Sequence, residues 1–349
     1  MGSLSLRRQA PCSPFLSLLS NIRAMNRVHH IILPLLTLLA LTVSCSKIIY
    51  EDLEECPQGV YISFYNQTPC MEAPEAVGEV NGLYVFAFDL NDVLVTVKKV
   101  TGWVDLTEVY KVELPPVENG QYSFIAWGGT PDQYFTLGIF VEGTTTKKDV
   151  MLRLRAENDK AINLGEHKVW QGESRIVSLP DRKEYGTVFA NVSINMLEVT
   201  NRINITLRLH ESVRDRYDID DFDILTYSAD GTYLINRRMP LGTPTLNYPG
   251  VELYRDKVAR TLSFTLMELK SGYHNLLRLH NKKEKKDFLE QDLLGKVLLE
   301  NPNVNLDCTH DFDIVLELED KCKDNNLVIN IFINNYQIHS FPVNLINRY

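Results

Sequence analysis

This sequence of 349 residues has little that chemistry could use. There is no G-x-S-x-G elbow, no H-E-x-x-H, no P-loop and no G-x-G-x-x-G, so the common nucleophile, zinc and nucleotide signatures are absent. No C-x2-4-C spacing occurs among its six cysteines, which argues against a structural zinc site. Apolar runs are short as well. The longest, Ile31 to Val43, is thirteen residues with Pro34 inside it. A bilayer-spanning helix needs about twenty. Basic charge is scarce, with 36 Lys and Arg against 45 Asp and Glu. The formal net charge of −9 speaks against nucleic acid as a partner. No metal, cofactor or catalytic role follows from any motif.

What is there begins with that apolar run. Its length suits the h-region of a secretory signal peptide, about 7–15 residues. Arg27, His29 and His30 precede it, and small residues lead to Ser44-Cys45. "LTVSC" resembles a lipobox, in which the thiol takes a diacylglyceryl group and becomes the acylated N-terminus after cleavage. Cys45 is therefore the candidate lipidation site. The alternative is an ordinary signal peptide whose cysteine joins a disulfide. The sequence from Met25 makes a signal of ordinary length, so Met25 is the expected start. "MGSLSL" fits a myristoylation pattern formally, in competition with export. Removal of residues 1–44 takes four arginines and moves the net charge from −9 to −13. Residues 45–58 read as a tether, and Glu51, Asp52, Glu54 and Glu55 resemble a surface-export signal.

Cys56, Cys70, Cys308 and Cys322 remain as disulfide candidates in an oxidising compartment. Three pairings are possible. Two pairs, each with the same fourteen-position spacing, favour Cys56–Cys70 and Cys308–Cys322, which would close short local loops.

From Gly59 onward the pattern is β. "VYISFYN" alternates, "LYVFAFDL" is apolar on both faces as in a central strand, and Asn91-Asp92 marks a hairpin into "NDVLVTVKKV". Further strands are expected in "QYSFIAWGG", "DVMLRLRA", "TVFANVSIN", "RINITLRLH", "TLSFTLMEL", "NLLRLH", "DFDIVLEL" and "LVINIFI". "FDILTYSADGTYLINRR" predicts a hairpin turning at Ala229-Asp230-Gly231. The one expected helix is 287–300. Phe288, Leu289, Leu293, Leu294, Val297 and Leu298 line one face, Asp287 is its N-cap, and Asn301-Pro302 ends it. The fold class is all-β, two sandwich domains with one short helix in the second. The divisions fall at 59–185 and 186–349.

"YDIDDFDIL" lacks the glycine and glutamate of a calcium loop, because Asp223 and Ala229 hold those positions. It reads as a solvated turn entering a strand, and "NKKEKKD" as a solvated basic loop. His210, His280 and His339 lie in strand-like runs and read as structural. Trp103, Trp127 and Trp170 could form a sugar platform, although core packing suits at least two of them.

"LTVSC" followed by "CPQGVYISFYN", "LYVFAFDLNDVLV", "QYSFIAWGG", "MLEVTNRINITLRL" and "DFLEQDLLGKVLLE" resemble, in this order, the FimB-type fimbrial anchor family of Bacteroidales within the fimbrillin-like superfamily. The resemblance covers most of residues 45–349. It implies tandem transthyretin-like sandwiches, an outer-membrane lipid anchor and a non-catalytic role. It also implies partner shaft subunits joined by β-strand addition. The alternative is a surface glycan-binding lipoprotein. The C-terminal segment 336–349 contains Pro342 and is expected at an edge. It either pairs with the first fimbrial subunit or completes this chain's own sheet.

Overall fold

A computed structural model describes residues 58–114, 118–321 and 326–343, all within one compact unit spanning 54–349. The chain begins with β1 (Gly59–Tyr65), β2 (Gly78–Asp89), β3 (Leu94–Leu106), β4 (Val112–Leu114) and β5 (Gly120–Gly128). Short strands follow: β6 (Phe135–Leu137), β7 (Met151–Leu154), β8 (Ala156–Glu157), β9 (Lys160–Ala161), β10 (Trp170–Glu173) and β11 (Val177–Leu179). A single turn of helix, α1 (Arg182–Tyr185), leads to β12 (Phe189–Asn195), β13 (Leu197–Glu198) and β14 (Thr200–Leu209).

β2 explains the layering. Its alternate side chains Leu83, Val85 and Ala87 face one core, while Tyr84, Phe86 and Phe88 face another. β5 divides the same way, with Phe124 and Ala126 against Ile125 and Trp127. A strand apolar on both faces must be covered on both. The sheet β13-β10-β5-β2-β3 is therefore a middle layer, with β11 also pairing to β5. On one side it packs on the three-stranded sheet β12-β1-β4, through Val60, Ile62, Phe64, Val112, Val192 and Ile194.

The remaining strands build the other side. They are β15 (Phe222–Ala229), β16 (Thr232–Leu234), β17 (Thr245–Tyr248), β18 (Gly250–Arg255), β19 (Ala259–Met267), β20 (Leu276–Asn281), β21 (Lys286–Asp292), β22 (Asp311–Asp320), β23 (Leu327–Ile333) and β24 (Tyr336–Pro342). Two six-stranded sheets, β18-β19-β14-β22-β23-β24 and β21-β20-β15-β17-β9-β8, enclose the larger core. Ile203, Ile205, Leu207 and Leu209 of β14 alternate into it as the sequence predicts. Strands cross the 185/186 division in both directions. β12 lies parallel to β1, while β7 pairs with β16 and β9 with β17. The architecture is all-β.

Two expectations of secondary structure fail. Residues 287–300 are not a helix. Lys285 takes a left-handed φ of 52° and turns the chain, so β21 runs back along β20. A bulge at Leu279/His280 buries Phe288 and Leu289 consecutively, which mimics helical spacing in the sequence. Leu293–Val297 forms one π turn and Leu298–Glu300 one 3-10 turn. The second failure is the hairpin at Asp230-Gly231. β15 pairs with β17 and β20, and β16 leaves to pair with β7. Gly231 adopts φ 68° against Leu154, where a Cβ would collide at 2.8 Å, so the turn carries the chain across to β7.

Candidate functional site

The two ends of the described chain are built differently. β1 is flanked by β12 along its whole length and by β4 at Val60–Ile62. Val60, Ile62 and Phe64 are buried, so alternation drives one face of β1 fully into the core. Its entry is fixed as well. Gly59 donates its N–H to Val188 O at 3.2 Å, and the Gln58 amide donates to Pro180 O at 2.8 Å. Cys45, the candidate lipidation site, lies outside the described residues.

β24 is the opposite case. It pairs with β23 alone and ends the six-stranded sheet. The turn before it, Asn334-Asn335, has φ of 48° and 66°, the positive pair a tight hairpin requires. Val343 donates its N–H to Leu327 O, so strand alternation turns the Pro342 nitrogen outward, where a missing N–H costs no ladder bond. Within this chain, 336–342 therefore completes the molecule's own sheet on one side. Its outer side meets no strand among the described residues.

β18 closes the other end of that sheet. It is exposed along its length and bulged between Glu252 and Tyr254. Charge lines it: Glu252 binds Arg260 at 2.7 Å, and Arg255 binds Asp220. Bulges and charges are how proteins blunt an edge against foreign strands. β24 has a bulge too, but no Lys, Arg, Asp or Glu.

Of the four disulfide candidates the structure describes two, and these pair with each other instead of locally. Cys70 bonds Cys308, with Cα atoms 5.8 Å apart across 238 positions of sequence. Local closure fails because Cys70 sits in the turn after β1, and Cys308 in the turn before β22. The fold packs these two turns against each other, with the Asn305 amide 3.7 Å from Cys70 Sγ. Cys56 and Cys322 lie outside the described residues.

A charged cluster escaped sequence reasoning. Arg202 on β14 bonds Glu198 and Asp311, the latter through Nε at 2.6 Å and Nη2 at 2.8 Å. Burial opposes its charge, yet both carboxylates outweigh this and raise its pKa. The Arg202 hydrogen bond holds Asp311 below the usual carboxylate range. Burial lowers His310 beside them. The cluster lines an open groove of about 380 Å³ with Lys168, Asn204, Val251 and Leu253. Arg202 thus answers the charges of both Glu198 and Asp311. Only the strand pattern was visible beforehand, because Glu198 and Asp311 reach Arg202 from different strands.

Other sequence candidates resolve as structural. Trp127 is fully buried and its indole donates to Ile235 O at 2.7 Å. Trp170 is buried too, while Trp103 is exposed on β3, so the three form no common platform. Asp218 caps the turn at Ile219–Asp221 that enters β15. The basic run faces this acidic one, with Lys282 at 3.4 Å from Asp223 and Lys283 at 3.9 Å from Asp221. His210 caps a short turn, His280 bonds Asp287, and His339 meets Phe341 edge to face. Among the described residues no three His, Cys, Asp or Glu converge as a metal site.

Comparison with known proteins accounts for this architecture. Residues 53–340 match the family model of fimbrillin-A associated anchor proteins Mfa1 and Mfa2. The minor fimbrium anchoring subunit Mfa2 of Porphyromonas gingivalis is 31% identical over 333 residues, covering 93% of this chain and all of that one. The solved structure of the fimbrial anchor protein Mfa2 from the same organism matches with a TM-score of 0.72 at 30% identity, over 82% of this chain and 100% of that one. A Bacteroides thetaiotaomicron protein provisionally described as polysaccharide-binding shares the fold alone, with a TM-score of 0.66 at 20% identity over 81% of this chain and 97% of that one. The Mfa2 relatives are fimbrial anchor proteins and not enzymes. The chain belongs to the family of fimbrillin-A associated anchor proteins.

Proposed function

We propose that this protein is an outer-membrane lipoprotein, held by an acylated Cys45, that anchors and terminates a fimbrial polymer without catalysing a reaction. Two or more acyl chains give stable anchoring where one is marginal, which is why a lipobox cysteine suits the task. The observation that carries the reading is the contrast between its end strands. β1 occupies the groove between β12 and β4, so the acceptor position in this protein is filled by its own chain. β24 offers an uncharged outer edge. An anchor with a filled groove contributes an edge to the first shaft subunit, and residues 336–349 pair with it by β-strand addition.

Deleting residues 336–349 tests this. Fimbriae should be shed into the medium while the truncated protein remains folded and in the membrane fraction. If the truncated chain unfolds, the segment belongs to the core and the docking role fails. Cys45→Ala should abolish acylation and release the protein from the membrane, and intact-mass measurement of an unmodified Cys45 in membrane-bound wild type would contradict the anchor.

A further inference from the structure

The end of the N-terminal layers at which the chain enters carries large apolar side chains that no other described residue covers. Leu90 is 60% exposed in the β2–β3 turn, Ile139 95% and Val141 57% in the segment after β6, Ile176 61% before β11, and Tyr185 64% on α1. Hydrogen bonds and ion pairs stitch these segments into one surface. Gly143 N–H donates to Leu94 O at 2.8 Å, setting 138–145 beside the β2–β3 turn. The Lys147 N–H donates to Asp92 O at 2.9 Å, and its ammonium bridges Asp92 at 3.1 Å and Glu173 at 3.0 Å. β11 then joins Ile176 to Pro180, the residue that accepts from Gln58. Scattered apolar residues on a surface mean little, whereas neighbouring ones mark a contact.

Where the chain ends decides what the contact is. Gln58 sits at this same end, and Cys45 is thirteen residues earlier. Fully extended, that tether reaches about 45 Å; as a flexible coil its r.m.s. span is about 20 Å. A lipid on Cys45 would hold this end, and not the β24 edge, near the bilayer. Tethering at such a span makes weak contacts intramolecular and therefore populated. The exposed charges nearby are of both signs, Lys148 and Arg175 with Glu142 and Glu173, so apolar insertion and not charge is the source of attraction.

We propose that this end of the protein rests on the lipid surface, with Leu90, Ile139, Val141, Ile176 and Tyr185 seated in the headgroup–acyl boundary. The proposal rests on the lipid-anchor reading. It adds an orientation: the molecule stands on its entry end with the opposite end, at Val109, away from the membrane.

The test uses the full-length lipidated chain in phosphatidylethanolamine–phosphatidylglycerol vesicles, with the fluorescent residue dansylalanine at Ile139 or, as control, at Val109. Vesicles whose acyl chains carry bromine should cut the emission from 139 by roughly half, as suits a group about 5–10 Å into the boundary. Emission from 109 should not change. Intact mass reports the acyl chains separately. A lipidated protein whose 139 signal is unquenched overturns the proposal and leaves the anchor standing. A 139 signal already shielded without vesicles overturns it too, since the chain itself then covers the patch. A membrane-bound protein without acyl chains overturns the anchor reading and this proposal with it.

Discussion

The first strand of the fold and the last one answer the same chemical problem in opposite ways. Both are seven residues long, and both are rich in aromatic or β-branched side chains. β1 has neighbours on both sides and buries Val60, Ile62 and Phe64 completely or nearly so. β24 has one neighbour among the described strands and buries none of its own residues. The backbone of β1 is paired on both sides at Val60–Ile62 and on the β12 side beyond, whereas half of the groups on β24 face outward. On the proposed reading, this asymmetry would give holding to the first strand and docking to the last.

The comparison breaks most visibly with a charge in each strand. Ile62→Asp should cost roughly 5 kcal/mol or more and leave no native transition, because an unpaired carboxylate cannot be buried there. Ile338→Asp in β24 should cost about 2 kcal/mol or less. Urea unfolding followed by far-UV circular dichroism measures both. Equal losses would remove the distinction.

Next in size is Arg202→Met. It strands the buried Glu198 carboxylate, and breaking a buried pair from one side costs about 3–5 kcal/mol. The same denaturation curves report it, and Glu198→Gln in the Met background should recover part of the loss. Cys70→Ser should follow at about 2–5 kcal/mol, the upper figure being the chain-entropy value for so long a loop. Non-reducing peptide mapping should link Cys70 to Cys308.

Acid should weaken the fold in two steps. Burial lowers the pKa of His167 and of His310 below 6.5, so the unfolded chain takes up these protons first. Stability is then lost as pH falls below 6.5, towards the folded-state values. Hydrogen bonds from Lys99 and Arg202 depress Asp132 and Asp311, so a second loss begins below 3.8. Thermal melts across pH should show both, and His167→Gln should shrink the first. The smallest effect belongs to Lys99→Ala. Its 2.8 Å pair with Asp132 is exposed, and such pairs are worth about 0.2–1 kcal/mol.

The strands were legible wherever alternation was uninterrupted. β14 and β22 show it, and so does the doubly apolar β2. What misled was local irregularity. The bulge that buries Phe288 beside Leu289 gives a strand the spacing of a helix. Partner choice was hidden for a different reason. Asp230-Gly231 specifies a turn but not which strand the chain meets after it, and β16 finds β7 some eighty positions upstream. The disulfide is the same lesson in covalent form. Equal spacing suggested two local loops, while the packing of two distant turns united Cys70 with Cys308. The charge runs at 218–223 and 281–287 were each legible as solvated. Their pairing with one another needed the fold.

The docking role of β24 is the central claim, and site-specific photocrosslinking in fimbriated cells tests it directly. Benzoylphenylalanine in place of Tyr336 on β24 should give an adduct with the mass of this protein plus one shaft subunit. The same group in place of Tyr254 on the charged β18 edge should give none. An adduct from 254 with none from 336 would contradict the account, since the subunit would then dock at the edge the protein blunts.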